Sequence, residues 1–182
     1  MLFPNGSSLG AKIFYRAKVR YLARSSAVQY PLVAVGGTFD VLHAGHRALL
    51  RKAFEHGRNV VIGLTSDQFV KKAPKRHMTR SYAKRRGQLC RFLDQEGLTS
   101  RSRIVPLNDI YGEAVRDAAI KALVVSQETV NNGERINEIR IAGGLPSLSI
   151  ICVDLVLADD GKPISTTRVR EGQITCDGKV PE

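Results

Sequence analysis

The chain has 182 residues, an apolar fraction of 43% and a formal net charge of +11, which fits one globular domain with a core of ordinary size. No apolar run approaches the roughly 20 residues that a membrane-spanning helix needs, so an integral membrane protein is not expected. The three cysteines lie far apart and form no Cys-x-x-Cys pair. This spacing argues against a disulfide framework or a zinc site and favours a reducing cytoplasm.

The positive charge is concentrated in two segments. Residues 1–30 carry five basic side chains and no acidic one, and residues 71–103 carry eleven basic side chains against two acidic ones. Such density attracts anions towards a cleft, although the solvated surface of a basic protein accounts for most of it. Residues 1–30 lack the apolar region of a secretory signal. We interpret them as a basic, poorly ordered N-terminal extension: a transit peptide, a basic tail or unrelated upstream sequence.

From Pro31 onward, short apolar runs alternate with helical patterns. The predicted strands are Leu32–Val35, Asn59–Leu64, Arg103–Pro106, Ala122–Ser126 and Ser149–Leu155. The predicted helices are Gly45–His56, Ser81–Glu96, Glu128–Ala142 and a short one beginning near Ser165, with a weaker helical turn over Glu113–Ala119. Gly57 and Gly97 stand where a glycine ends a helix. The alternation predicts an α/β fold: a doubly wound, Rossmann-like, five-stranded parallel sheet with helices on both faces.

The segment Val33–His46 reads Val-Ala-Val-Gly-Gly-Thr-Phe-Asp-Val-Leu-His-Ala-Gly-His and joins the first strand to the first helix. Gly36 and Gly37 let the backbone approach a ligand closely, and the helix N-terminus offers unpaired N–H groups to an anion. One histidine alone is as readily a structural residue, but His43 and His46 together, bracketing a glycine, predict phosphate binding. A metal site is a third interpretation, although no cysteine or carboxylate joins the pair at ligand spacing. The other histidines, His56 and His77, have no such neighbours and are expected at the surface.

A second pattern near the C-terminus also suits phosphate. Gly161-Lys162-Pro163 predicts a turn, and Ser165 or Thr166 can cap the helix that follows. The hydroxyl and N–H groups there would hold the β- and γ-phosphates of a nucleotide, with Arg168 as a charged donor. Alone, the segment also fits an ordinary capped helix. Together, this segment and the histidine segment indicate the two halves of a nucleotide site.

These two patterns resemble the paired signatures of the HxGH nucleotidyltransferase superfamily. Ile164–Arg170 is similar to its distal Ile-Ser-Ser-Thr-x-Ile-Arg motif, with Thr166 for serine and Val169 for isoleucine. Three intervening segments resemble the archaeal and eukaryotic type of phosphopantetheine adenylyltransferase: Pro106–Gly112, Val124–Val130 and Val153–Pro163. The resemblance covers about residues 31–172 and implies a nucleotidyltransferase domain over 31–182, after the extension over 1–30.

The resemblance implies adenylyl transfer from ATP, accompanied by Mg²⁺, to 4′-phosphopantetheine in coenzyme A biosynthesis. The catalytic residues it implies are His43, His46, Thr38, Lys71 and Arg168. The ATP contacts it implies are Gly36, Gly37, Thr38, Phe39, Gly45, His46, Ser126, Glu128, Thr129, Ser165, Thr166, Thr167 and Arg168. Ser126, Glu128 and Thr129 also fit an N-capped helix. The acceptor phosphate would be bound by Thr38 and by Lys71 or Lys72, with Arg80 and Arg86 as secondary candidates.

Three alternatives remain open on the sequence. A cytidylyltransferase acting on a polyol phosphate such as glycerol phosphate, and an adenylyltransferase acting on riboflavin phosphate, would keep both motifs. A basic nucleic-acid-binding module would explain the charge but leaves both motifs unexplained. We therefore expect small phosphorylated substrates, and neither a nucleic-acid nor a membrane partner.

Overall fold

A computed structural model describes residues 28–72 and 79–181, so residues 1–27 of the predicted basic extension lie outside the described part. The strands are β1 (Tyr30–Gly37), β2 (Gly57–Thr65), β3 (Ser102–Leu107), β4 (Ala122–Ser126) and β5 (Ser149–Val153). The α-helices are α1 (Ala44–His56), α2 (Asp67–Lys72), α3 (Tyr82–Gln95), α4 (Val130–Ala142) and α5 (Thr166–Arg170). Two short 3-10 turns cover Thr99–Arg101 and Gly112–Val115.

All five strands run parallel in the order β3-β2-β1-β4-β5. Val35 in the central strand β1 pairs with Ile62 on one side and with Val124 on the other. The chain winds outward from β1 to β3, then returns to β4 beside β1, so the winding direction reverses between β1 and β4. Ligands of such sheets bind at the carboxyl ends of the strands on either side of this reversal. The predicted fold is confirmed, and the Gly36–His46 turn lies at this reversal.

Each face of the sheet is covered by helices because the strands are apolar on both sides. On one face, Val33, Val35 and Ile62 pack against Leu50 of α1 and Leu89 of α3. The residues that alternate with them face α4 and the 3-10 turn over Gly112–Val115; this second cluster includes Ala34, Val61, Leu123, Ala114 and Ile136. Within the described ranges, no helix is long and apolar enough to cross a bilayer.

Gly57 does not end α1 in the way that we predicted. Its φ of −102° is extended rather than left-handed, and it is the first residue of β2. A Cβ at this position would lie 2.8 Å from Cγ2 of Val33, so close packing of β1 against β2 explains the glycine. Gly97, in contrast, has the left-handed φ of +68° expected of a helix-ending glycine.

Two further expectations need correction. Helix α2 is absent from our prediction because it has six residues and none of them is buried; Ser66 caps its start by accepting a hydrogen bond from the N–H of Phe69 at 3.2 Å. His56 is not at the surface but only 6% exposed, because its position at the last turn of α1 faces the core. His77 lies outside the described residues.

Candidate active site

The turn after β1 is built around a buried aromatic ring. Phe39 is fully buried and has a left-handed φ of +45°, a conformation that a bulky residue adopts only when its surroundings hold it there. Its ring fills the space next to Gly37, where a Cβ would come within 3.1 Å of the ring. The same ring makes a T-shaped contact with His46, with ring centroids 5.2 Å apart. Phe39 therefore shapes the turn and supports one histidine.

The two predicted histidines lie together at the start of α1. Their rings stack with centroids 3.8 Å apart and an interplanar angle of 22°. His43 is the N-cap of α1, and its Nδ1 accepts a hydrogen bond from the backbone N–H of His46 at 3.4 Å. The Nδ1 of His46 lies 2.9 Å from the carbonyl oxygen of Val41. Gly45 leaves room for the stack, since a Cβ there would lie 3.2 Å from the His43 imidazole.

Burial disfavours the charged form of both imidazoles in the free protein. It is the largest influence lowering the pKa of His43, to about 3, and the charge of Arg47, or of His46 when that ring is protonated, acts in the same direction. Burial also lowers the pKa of His46, against the opposing influences of the Val41 carbonyl and the Asp40 carboxylate. A neutral imidazole with its proton on Nε2 can donate a hydrogen bond to a phosphate oxygen without adding positive charge at the positive end of the helix dipole.

Asp40 joins the two sequence motifs, although it was not among the predicted site residues. Its side chain is 3% exposed, and its Oδ2 accepts hydrogen bonds from Nε and Nη2 of Arg170 at 2.9 and 2.7 Å. Its Oδ1 accepts from the backbone N–H of Arg80 at 2.8 Å. One buried carboxylate therefore connects the turn after β1 to α5 and to the residues before α3. The signal in the sequence was the aspartate inside the Gly-Gly-Thr-Phe-Asp pattern itself.

Arg85 is a second residue that sequence reasoning missed. Its side chain is fully buried, and its Nη1 donates to the carbonyl oxygen of Thr38 at 3.0 Å and to Oγ1 of Thr65 at 3.2 Å. Its Nη2 donates to Oδ1 of Asp67 at 2.9 Å, and this carboxylate also accepts from the N–H of Tyr82. Arg85 thus fixes the positions of Thr38 and of α2, the helix that ends with Lys71 and Lys72.

The distal motif forms the short helix α5 next to α1. Ser165 caps it, as predicted, by accepting a hydrogen bond from the N–H of Arg168 at 3.3 Å. A Cβ on Gly45 would lie 4.0 Å from the carbonyl oxygen of Ile164, and the N–H of Ala44 donates to the carbonyl oxygen of Cys176. Thr166 and Thr167 form the first turn of this helix. The structure therefore brings the hydroxyl-bearing N-terminus of α5 next to the histidines.

The guanidinium of Arg168 lies elsewhere than we expected. It donates to the Asp160 side chain and, at 3.0 Å, to the carbonyl oxygen of Pro163, so it closes the turn before α5. Arg170 is the distal arginine that reaches the turn after β1, through Asp40. This difference arises because alternate residues of a short helix point in different directions, which the sequence pattern alone does not resolve.

The remaining predicted residues surround this centre at different strand ends. Ser126 and Thr129 follow β4, the neighbour of β1, and their hydroxyl oxygens lie 3.1 Å apart; Glu128 between them is exposed. Lys71 and Lys72 are exposed at the end of α2, which follows β2 on the other side of β1. Of the two arginine candidates, Arg80 lies just before α3 and donates to Asp40 and to Oε1 of Gln88. Arg86 lies in α3 and is exposed.

A small apolar pocket of about 60 Å³ lies against the α4 face of the sheet, towards the same edge. It is lined by Gly36, Gly63 and Leu107 at the ends of β1, β2 and β3, and by Ile110 and Tyr111 in the loop that follows. The Leu107 side chain packs over two glycines of the pocket. A Cβ on Gly36 would lie 3.3 Å from this side chain, and a Cβ on Gly63 would lie 2.7 Å from it. The turn after β1 thus adjoins a small apolar surface.

The donors of the site suit phosphate oxygens. They are imidazole, hydroxyl and backbone N–H groups, with guanidinium and ammonium groups around them. Across residues 28–72 and 79–181, no group of three or more histidine, cysteine or carboxylate side chains is placed to hold a metal ion. A divalent cation that enters with a nucleotide would keep most of its ligands from the phosphates and water.

Comparison with known proteins agrees with this geometry. The model of the cytidylyltransferase-like family matches residues 34–172. The phosphopantetheine adenylyltransferases of Methanopyrus kandleri and Methanothermobacter thermautotrophicus are both 44% identical to the chain; the aligned regions cover 76% and 84% of this chain and 87% and 90% of those proteins. A bifunctional phosphopantetheine adenylyltransferase/NTP phosphatase of Thermoplasma volcanium is 45% identical over 81% of this chain, which spans only 44% of that longer protein.

Two solved structures share the fold. A protein of unknown function from Archaeoglobus fulgidus superposes with a TM-score of 0.60 and 33% identity over 67% of this chain and 88% of its own. A bifunctional NMN adenylyltransferase/ADP ribose pyrophosphatase from Francisella tularensis superposes with a TM-score of 0.56 over 79% of this chain and 42% of its own. At 17% identity, this second likeness concerns the fold alone. The chain therefore belongs to the cytidylyltransferase-like family, and within it to the phosphopantetheine adenylyltransferases.

Proposed function

We propose that this protein transfers the adenylyl group of ATP to 4′-phosphopantetheine, yielding dephospho-CoA and pyrophosphate. Relatives that are 44% identical over most of their length carry that activity in their names. The structural observation that supports it most strongly is the bridge from Asp40 to Arg170, which holds the distal motif against the turn after β1. Two phosphate-binding helix starts at one edge of the sheet suit a triphosphate.

The reaction needs no covalent enzyme intermediate. A phosphate oxygen of the acceptor attacks the α-phosphorus of ATP in line, a new P–O bond forms, and the bond to the bridging oxygen of the pyrophosphate breaks. The electron pair of that bond leaves with pyrophosphate. Catalysis of such a transfer consists of positioning the reactants and stabilising the charge that develops on the phosphoryl oxygens.

We assign the phosphoryl contacts to the residues that the fold brings together. His43 and His46 donate to oxygens of the α-phosphate, and Thr38 orients the phosphates from the adjacent turn. Ser165, Thr166 and the N–H groups of α5 hold the leaving pyrophosphate, with Arg170 as the arginine of α5 that reaches the turn after β1. Mg²⁺ enters with ATP as part of the substrate and neutralises phosphate charge.

The acceptor is assigned to the other side of β1. Lys71 or Lys72 supplies the positive charge that binds the acceptor's phosphate. Both ammonium groups are exposed at the end of α2, close to a strand end, so either can reach a bound phosphate. The apolar pocket beside Gly36 and Leu107 supplies a surface for the rest of the acceptor. The unpaired state of all three cysteines is compatible with work in the cytoplasm.

Two alternatives exist within the family, and one of them, cytidylyl transfer, is supported by the family's description as cytidylyltransferase-like. Transfer from CTP to glycerol phosphate, or from ATP to riboflavin phosphate, would use the same phosphate-binding groups. These activities differ only in the base and acceptor that the outer parts of the site admit. The higher identity to phosphopantetheine adenylyltransferases favours the first proposal.

A matrix of substrates tests the proposal directly. The purified full chain is incubated with ATP or CTP and with 4′-phosphopantetheine, glycerol phosphate or riboflavin phosphate, and pyrophosphate release is measured. We expect release with ATP and 4′-phosphopantetheine and only background release with the other pairs. Release with CTP and glycerol phosphate, or with ATP and riboflavin phosphate, would replace the proposed substrates by those of the alternative.

A further inference from the structure

The hydrogen bond that His43 makes determines where its proton lies. Its Nδ1 accepts from the backbone N–H of His46 at 3.4 Å, so this nitrogen carries a lone pair and the neutral ring carries its proton on Nε2. Adding a second proton at Nδ1 would set two N–H groups against each other. It would also remove the N-cap of α1 and place a positive charge at the positive end of the helix dipole. The position of His43 therefore opposes its protonation.

His46 has the opposite arrangement. Its Nδ1 lies 2.9 Å from the carbonyl oxygen of Val41, and because a carbonyl oxygen can only accept, Nδ1 must carry the proton. The neutral ring then has its lone pair on Nε2. A second proton can be added at Nε2 without breaking the bond to Val41. Protonation of His46 therefore costs no hydrogen bond, whereas protonation of His43 costs the helix cap.

The stacking of the two rings allows only one of them to be charged. With centroids 3.8 Å apart, two imidazolium rings would repel each other strongly in a partly buried site. The charged groups that act on the pair are Asp40, which favours a proton on His46, and Arg47, which disfavours one on either ring. Two further cations of the site, Arg80 and Arg170, are held on Asp40.

From this geometry, and resting on the proposed function, we propose that the two histidines have different protonation states during catalysis. His43 stays neutral and donates to phosphate from Nε2–H. His46 alone takes up a proton at Nε2 when the triphosphate binds, and then donates as an imidazolium. No other assignment lets both Nε2 atoms donate to phosphate oxygens while both Nδ1 hydrogen bonds are kept.

Nucleotide binding is then coupled to proton uptake at one residue. The negative phosphates supply the charge that stabilises the imidazolium, which burial suppresses in the free protein. The apparent affinity for ATP should fall as the pH rises, because the proton that His46 needs becomes scarcer. His43 contributes no pH dependence above its own low titration range.

Nitrogen NMR of the full chain labelled with ¹⁵N-histidine reads these states directly, because ring nitrogens with and without a proton have distinct shifts. Spectra are recorded with and without Mg-ATP, in the absence of acceptor, and His43→Gln and His46→Gln assign the signals. In the free protein we expect an Nε2–H tautomer for His43 and an Nδ1–H tautomer for His46. With Mg-ATP, only His46 should become doubly protonated, and the buried His56 should not change.

Isothermal titration calorimetry measures the same proton uptake independently of the NMR spectra. Titration of Mg-ATP in buffers of different ionisation enthalpy near neutral pH should show uptake of up to about one proton per bound nucleotide. This uptake should be retained in His43→Gln and lost in His46→Gln. Proton uptake that survives in His46→Gln, or NMR spectra with a protonated His43 or a neutral His46 in the complex, would overturn the inference. If dephospho-CoA still forms in those circumstances, the proposed function stands; absence of nucleotide binding would overturn both.

Discussion

Asp40→Asn is the substitution that most directly separates the two halves of the site. Asparagine keeps the size of the side chain but removes its charge. Its amide would have to turn an NH₂ group either towards the guanidinium of Arg170 or towards the N–H of Arg80. The native carboxylate accepts at 2.9 and 2.7 Å from Arg170 and at 2.8 Å from the Arg80 backbone. The variant therefore loses at least one of these contacts and leaves a donor facing a donor.

The size of the effect follows from burial. Breaking a buried charged pair costs about 3–5 kcal/mol, but the side chains of Arg170 and Arg80 are 27% and 37% exposed and can regain water. We therefore expect a loss of about 2–3 kcal/mol in the free energy of unfolding. Because α5 would no longer be fixed to the turn after β1, the KM for ATP should rise together with this loss.

Urea denaturation and steady-state kinetics measure both effects, with Asp94→Asn, an exposed residue of α3, as the matched control. Burial acts to raise the pKa of Asp40, but the hydrogen bonds from Arg80 and Arg170 and their charges outweigh it and hold the pKa below 3.8. The stabilisation by Asp40 is thus present above pH 3.8 and lost as the pH falls further. The stabilities of the wild type and of Asp40→Asn should converge in acid. A variant with the urea midpoint and KM of the control would refute this reasoning.

Three other changes have defined outcomes. Gly45→Ala places a Cβ 3.2 Å from the His43 imidazole; kcat should fall about 10- to 100-fold at a nearly unchanged Tm, and full activity would contradict the stacked geometry. Gly63→Ala places a Cβ 2.7 Å from the Leu107 side chain; urea denaturation should show a loss of about 1–3 kcal/mol, and a wild-type midpoint would show that Leu107 moves freely. Because burial, followed by nearby positive charge, lowers the pKa of His43 to about 3 from 6.5, its contribution to stability is complete above pH 6.5 and lost towards pH 3. His43→Gln should therefore flatten the acid side of the stability–pH curve, and an unchanged slope would contradict its buried neutral state.

The turn after β1 could be predicted from the sequence because its information is local. An apolar run, two glycines and two histidines three positions apart indicate a strand end and a helix start within fourteen residues. The alternation of strands and helices then fixes the parallel sheet, and general rules for such sheets place the ligand at their carboxyl ends.

The contacts that hold the site together could not be predicted in this way. Asp40 and Arg170 are 130 residues apart in the chain, and no periodicity links them. Arg85 stands among basic residues of α3 that fit a solvated helix face, and only the packing of α3 against the sheet shows that it is fully buried. Which arginine of α5 faces the turn depends on the direction of a helix of five residues.

The activity that we propose is transfer of the α-phosphoryl group of ATP, with its nucleoside, to a phosphate acceptor. The most direct test is to incubate the protein with 4′-phosphopantetheine and ATP radiolabelled at its α-phosphorus, and to separate the products. We expect the label in dephospho-CoA and unlabelled pyrophosphate in equal amount, with turnover reduced by orders of magnitude in His46→Ala. Label that stays in AMP, ADP or unreacted ATP while the acceptor is unchanged would contradict adenylyl transfer by this protein.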